Sequence, residues 1–186
     1  MTLHQSIIFV LLPLAFAMSF FSIGLSNSKA GVRIRPGTSL KASIIFMIVT
    51  FILAVSGHYA GGMLFQYIIA DPEWVAFGLF IFTGFRIVSH GWKKKAWFRL
   101  FEVNRTSVIL ALAVALGINV LFATIALHLF QQTHMIIFSG AVAFAAGLLA
   151  FSGLVYGLHF QDDFGWKAEI VGGIIIWTGA VWLLLG

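Results

Sequence analysis

The chain has 186 residues, of which 61% are hydrophobic and 9% charged, with 11 Lys and Arg against 6 Asp and Glu for a formal net charge of +5. No water-soluble domain of that composition could cover itself with polar surface, so a soluble catalytic domain is excluded and the bilayer must be the solvent. The absence of cysteine removes disulfides, thiolate nucleophiles and thiolate metal sites together, leaving oxygen or imidazole for any metal.

A helical span needs about 20 mostly apolar residues to cross a hydrocarbon layer of about 30 Å. Apolar runs lie at about Ser6 to Asn27, Lys41 to Phe65, Glu73 to His90, Ser107 to Phe130, Met135 to Leu158 and Ala168 to Leu185. A transmembrane strand alternates apolar and polar residues over about 10 positions, whereas these runs stay apolar for twice that length. The expected fold is therefore all-α, a polytopic membrane protein of six transmembrane helices. With no Lys or Arg before it and a basic stretch after it, the first run inverts the charge order of a secretory signal and reads as a retained helix.

Charges inside lipid cost about 2.5–3.5 kcal/mol at a helix centre on insertion scales, so the polar residues within these runs are informative. In the first span Ser19, Ser22 and Ser26 follow i, i+3, i+7 spacing and form a hydroxyl stripe, either a packing face or one wall of a path. In the second, Thr50, Ala54, Gly57, His58 and Gly61 make a small and polar face. His58 reads as an imidazole satisfied by a neighbouring hydroxyl or carbonyl, or as a titrating group on a pathway. Asp71-Pro72 suits an N-cap with proline at the first helical position, so the third span starts near Glu73. Arg86 lies about one turn from the end of that span, where it either snorkels to the interface or enters an ion pair.

Asn119 sits near the middle of the fourth span with Ala115 and Ala123 a turn to either side, so a neighbouring helix can approach its amide closely. It reads as helix glue or as an oxygen ligand. Glycines four apart recur in the second and fifth spans, at Gly57 and Gly61 and at Gly153 and Gly157. Glu169 stands at the opening of the sixth span, placed for an interfacial structural role or for ion binding. His90, His128, His134 and His159 fall at span ends, which disfavours paired haem ligation within the core.

Nine of the 11 basic residues lie in two clusters, Lys29, Arg33, Arg35 and Lys41, then Lys93, Lys94, Lys95, Arg99 and Arg105. Basic loops stay in the cytoplasm, which puts both termini outside. Trp92, Trp97 and Phe98 beside the lysine triplet are usual for an inner interface, with anionic lipid recognition as the sharper reading. No phosphate-cradling loop exists, since Gly31 to Gly37 is followed by Thr38 and lacks the lysine. Neither Gly-x-Ser-x-Gly nor His-Glu-x-x-His occurs, so no enzyme chemistry is expected. The Asn104-Arg105-Thr106 sequon lies on the expected cytoplasmic side and reads as coincidence. Nucleic acid is not an expected partner.

Trp74-Val75-Ala76-Phe77, Ile81-Phe82, Gly84, Arg86 and Gly91, followed by Lys167-Ala168-Glu169-Ile170-Val171-Gly172-Gly173, resemble the third and sixth helices of bacterial manganese efflux pumps of the MntP type, within the LysE-like exporter superfamily. The resemblance runs from about Leu12 to the C-terminus and includes the basic loop after the third span. It implies two inverted three-helix repeats and export of divalent manganese from the bacterial cytoplasm. Arg86 and Glu169 match the family's charged positions. The family's intramembrane acids are replaced: its aspartates of helices one and four fall on Phe21 and Asn119, its acid of helix two on Thr50, and an acid before Gly91 on His90. Neutral oxygen ligands offset the desolvation of manganese less well than carboxylates do.

These readings combine as a single membrane domain over residues 1–186, with repeat one at 6–90, a basic cytoplasmic loop at 91–106 and repeat two at 107–186. The expected function is a small secondary transporter of the bacterial inner membrane, a divergent exporter of manganese or a similar divalent cation, with no cofactor beyond the transported ion. Ser22, Ser26, Thr50, His58 and Asn119 would line its path between spans one, two, four and five. The alternative is a transport-inactive paralogue acting as a structural subunit of a membrane complex. The lipid bilayer is the expected partner, with a homo-oligomer or larger complex compatible with either reading.

Overall fold

In hydrocarbon every backbone N–H and C=O must be satisfied within its own segment, which leaves the helix as the form available to these runs. The computed structural model describes residues 3–28, 36–67, 71–96, 105–130, 135–156 and 164–185. They form α1 (Leu3–Ser28), α2 (Pro36–Phe65), α3 (Pro72–Ala96), α4 (Thr106–Leu129), α5 (Met135–Tyr156) and α6 (Phe164–Leu185). Among the described residues every regular element is a helix. Five of these helices are long and apolar enough to cross a membrane, and α1 contributes a shorter apolar stretch, Val10–Ser26. The chain is an all-α polytopic membrane protein.

Helix boundaries follow local chemistry. Proline opens α2 and α3, where its missing N–H leaves no intrahelical bond unmade. The Trp74 N–H donates to the Asp71 carbonyl at 3.2 Å, so Asp71 occupies the flanking position expected of it. α6 begins four residues earlier than its apolar run, at Phe164, and this moves Glu169 from the opening of the helix into its second turn. Lys29, Arg33, Arg35, Arg99, Asn104, Gln131 to His134, Gly157 and His159 lie outside the described residues, as do the side chains of Lys94 and Lys95.

Helix contacts are set by where backbones can approach. α1 packs on α5 and α6, α4 packs on α2 and α3, α2 meets α5, and α3 meets α6. Exchanging α1 with α4, α2 with α5 and α3 with α6 leaves that set of main pairings unchanged. α2 and α4 run parallel and in step, with Leu53 against Gly117, Gly57 against Leu121, and Gly61 against Ile125 and His128. On the opposite pairing Gly24 of α1 lies on Ala150 and Gly153 of α5, where an added Cβ would come within 2.9 Å of both backbones. The α3–α6 seam is antiparallel. Gly84 lies beneath the Trp177 indole, whose Nε1 donates to the Ile81 carbonyl at 3.0 Å. The glycines behind the family resemblance, Gly84, Gly91, Gly172 and Gly173, are thus packing positions, placed against Trp177, Glu169, Ala15 and Val88.

Among the described residues three buried clusters form the interior, one around Leu12, Phe16, Phe80, Val120, Leu127 and Ile176, a second around Phe20, Phe46, Ile109, Ala146 and Leu154, and a small third of Phe21, Leu25 and Ala168. Outward faces carry Leu40, Ile44, Ile48, Phe51 and Ile52 of α2 and Ile136, Ile137, Phe144 and Leu148 of α5, all exposed, as lipid contact requires. Replacing Gly153 with Leu should destabilise the protein by at least about 1–3 kcal/mol, because its Cβ would stand 2.6 Å from the Phe21 carbonyl oxygen. Gly78→Ala, where nothing lies within 4 Å, should instead stabilise α3 by about 0.5–1 kcal/mol. Thermal unfolding in detergent, run on the two variants side by side, measures both.

Candidate functional site

A buried hydroxyl in a membrane helix usually relieves itself on a carbonyl of its own helix. Ser26 Oγ donates to Ser22 O at 2.9 Å, Ser43 Oγ to Ser39 O at 2.9 Å, Thr83 Oγ1 to Leu79 O at 2.7 Å and Thr124 Oγ1 to Val120 O at 3.1 Å. Thr50 departs from that habit. Its side chain is 0% exposed and its Oγ1 has no hydrogen-bond partner among the described residues. The amide oxygen of Asn119, at 7% exposure, is likewise unpartnered among them. An orphaned polar atom in a protein interior costs about 1–3 kcal/mol, so each of these two positions is held at a cost that packing alone does not explain.

The elements that position these atoms are the two parallel helices α2 and α4. Gly57 and Gly61 bring α2 onto α4 because a Cβ at either would strike α4, at Thr124 and Leu121 for Gly57 and at His128 for Gly61. The amide of Asn119 was expected to find close partners through Ala115 and Ala123; its oxygen finds none, although Ala123 is fully buried. The serine stripe of α1 is also buried, with Ser19 and Ser22 inside and Ser26 half-buried. Ser22 borders α6, since a Cβ at Gly165 would lie 3.4 Å from its Oγ.

Around Phe21 the interior of α1 is closed by packing. Phe21 is 8% exposed, packs with Leu25 and Ala168, and meets Phe164 edge-on with ring centroids 6.1 Å apart. Glu169 is 1% exposed and lies 3.4 Å from Nδ1 of His90, whose side chain is 55% exposed. Gly91 makes this approach feasible, as its own Cβ would come within 3.0 Å of that of Glu169. Glu169 and Arg86 differ in burial. Glu169 is a buried carboxylate on the α3–α6 seam, while Arg86 is half-buried on α3.

His58 does not find a hydroxyl or a carbonyl. Its Nδ1 lies 2.9 Å from Nδ1 of His128, with ring centroids 4.6 Å apart and planes inclined by 60°. Spacing alone put His128 at a span end with His58 the one histidine inside; the structure places both in one half-buried pair. The in-step packing of α2 and α4 does this, and only tertiary contact could reveal it. Among the described residues no group of three or more His, Asp or Glu is arranged around a common point.

A family model described as "Putative manganese efflux pump" matches residues 31–184. Curated relatives carry the name "Putative manganese efflux pump MntP". The protein of Elusimicrobium minutum is 28% identical over 182 residues, covering 96% of this chain and 97% of its own length. That of Sodalis glossinidius is 29% identical over 168 residues, 89% of this chain and 86% of its own. A Wolinella succinogenes relative named "Putative manganese efflux pump MntP 1" is 28% identical over 168 residues, 90% of each chain. No solved structure matches. With the family model spanning residues 31–184, most of its length, this chain belongs to the MntP manganese efflux pump family.

Proposed function

We propose that this chain is a secondary transporter of the bacterial inner membrane that exports a divalent cation, manganese in keeping with its family, with both termini outside. The unpartnered oxygens of Thr50 and Asn119 carry this reading. Such oxygens supply what a dehydrating cation needs, and their cost in the empty state is repaid when an ion passes. Ser22, Ser26, Thr50, His58 and Asn119 line the path between α1, α2, α4 and α5. The unchanged helix pairings on exchange of the two halves support two inverted three-helix repeats, an architecture suited to alternating access about a midplane site. Within it Phe21 and Asn119 occupy matching positions, one closed by a ring and the other still polar.

A site with neutral oxygens in place of carboxylates holds a divalent ion weakly, which favours rapid release over tight capture. The packed Phe21 ring is the observation behind the second reading, in which the chain no longer transports and stabilises a membrane complex. Expression in cells lacking their own manganese exporter separates the two. Lower cellular manganese is expected from the transporter, whereas no change at confirmed membrane abundance favours the structural subunit.

In the same cells Asn119→Ala should abolish the relief without loss of protein from the membrane. Phe21→Asp, which returns the family's carboxylate, should raise export. Thr50→Val keeps the shape of the side chain and removes its unpaired hydroxyl, so it should leave stability unchanged or raise it by about 1 kcal/mol while export falls; unfolding in detergent and metal accumulation read the two effects separately. Because the chain has no cysteine, Lys93→Cys gives a single label at the end of α3. A membrane-impermeant maleimide should reach it in inside-out vesicles and leave it unmodified in intact cells.

A further inference from the structure

Two imidazoles whose ring nitrogens face each other across a shared proton have the makings of a chelate. His58 and His128 are held in that relation by backbone as well as by side-chain contact. A Cβ at Gly61 would stand 2.7 Å from Cβ of His128, and one at Gly62 would lie 3.3 Å from its Nε2. α2 has no side chain at either point, so His128 rests directly on its backbone, and the separation of the two rings is set by the helix pair. The Nδ1 atoms are 2.9 Å apart. Two imidazole nitrogens bound to one tetrahedral zinc-type ion, each at 2.0–2.1 Å, stand roughly 3.3 Å apart. A widening of a few tenths of an ångström therefore converts a hydrogen bond into a two-nitrogen metal seat.

We propose that His58 and His128 form a binding site for a divalent transition metal at the shared end of α2 and α4, distinct from the oxygens of Thr50 and Asn119. In the neutral pair one ring donates its Nδ1 proton to the other ring's Nδ1. Metal binding through both Nδ1 atoms moves that proton to Nε2 of the donating ring, so the exchange needs no net proton release. Both rings are half-buried, which leaves room beside them for the further ligands an ion would bring. Imidazole donors favour copper, zinc and nickel over manganese in the usual affinity order. The pair thus prefers other ions than the oxygens of Thr50 and Asn119 do, although His58 also borders the proposed path, and the assignment stands whether or not the chain transports manganese.

Copper(II) is the probe: one equivalent is added to purified full-length protein, free of any affinity tag, and followed by electron paramagnetic resonance. Hyperfine coupling to two histidine nitrogens is expected, and each of His58→Ala and His128→Ala should reduce it to one nitrogen and weaken binding by at least about tenfold. The wild-type spectrum tests the assignment even if neither variant folds. A spectrum with one nitrogen or none overturns it, as does an unchanged two-nitrogen spectrum in a folded His58→Ala/His128→Ala protein, which would place the ion on other histidines. As a second readout, zinc should raise the melting temperature of the wild type but not of the double variant; an equal rise in both also overturns the site.

Discussion

Between two apolar helices in lipid there is little to gain from burial, because the tails are as apolar as leucine; association depends on how closely the backbones can come. In this protein that closeness is concentrated at glycines. Gly24 and Gly153 bring α1 against α5, Gly57 and Gly61 bring α2 against α4, and Gly84 and Gly173 bring α3 against α6. Everything polar in the interior inherits its position from these contacts. His58 and His128 meet because α2 and α4 touch along a fixed register.

Packing and interior polarity fall on different positions of this chain. At Gly84, Gly91, Gly172 and Gly173 a side chain would strike an indole, the side chain of Glu169, a valine or a backbone. The interior carries a ring at Phe21, a hydroxyl at Thr50 and an amide at Asn119. Two of these three side chains hold an oxygen that no described residue satisfies. Had selection acted on packing alone, an apolar side chain at Thr50 would have been the cheaper choice.

Glu169 is the deeply buried acid of the α3–α6 seam. Its carboxyl group lies 3.4 Å from the imidazole of His90, whose side chain is largely exposed, so this acid sits beside a polar group that reaches the outside of the bundle rather than among apolar side chains alone.

Hydropathy and charge placement in the sequence were enough to determine six helices, their approximate ends and the all-α membrane class, because lipid leaves an apolar stretch of this length one way to satisfy its backbone. Residue spelling was enough to place the chain beside its family and to single out Thr50, His58, Asn119 and Glu169, because polar groups in such runs are few and costly. Partnership was decided by tertiary structure alone. That Thr50 and the amide oxygen of Asn119 lack partners among the described residues, that Phe21 packs edge-on against Phe164, and that His128 belongs with His58 all depend on which helices adjoin and in what register. Those are set by glycine contacts between residues far apart in the chain, and helical periodicity, which reports the face of one helix, carries no information about the face opposite.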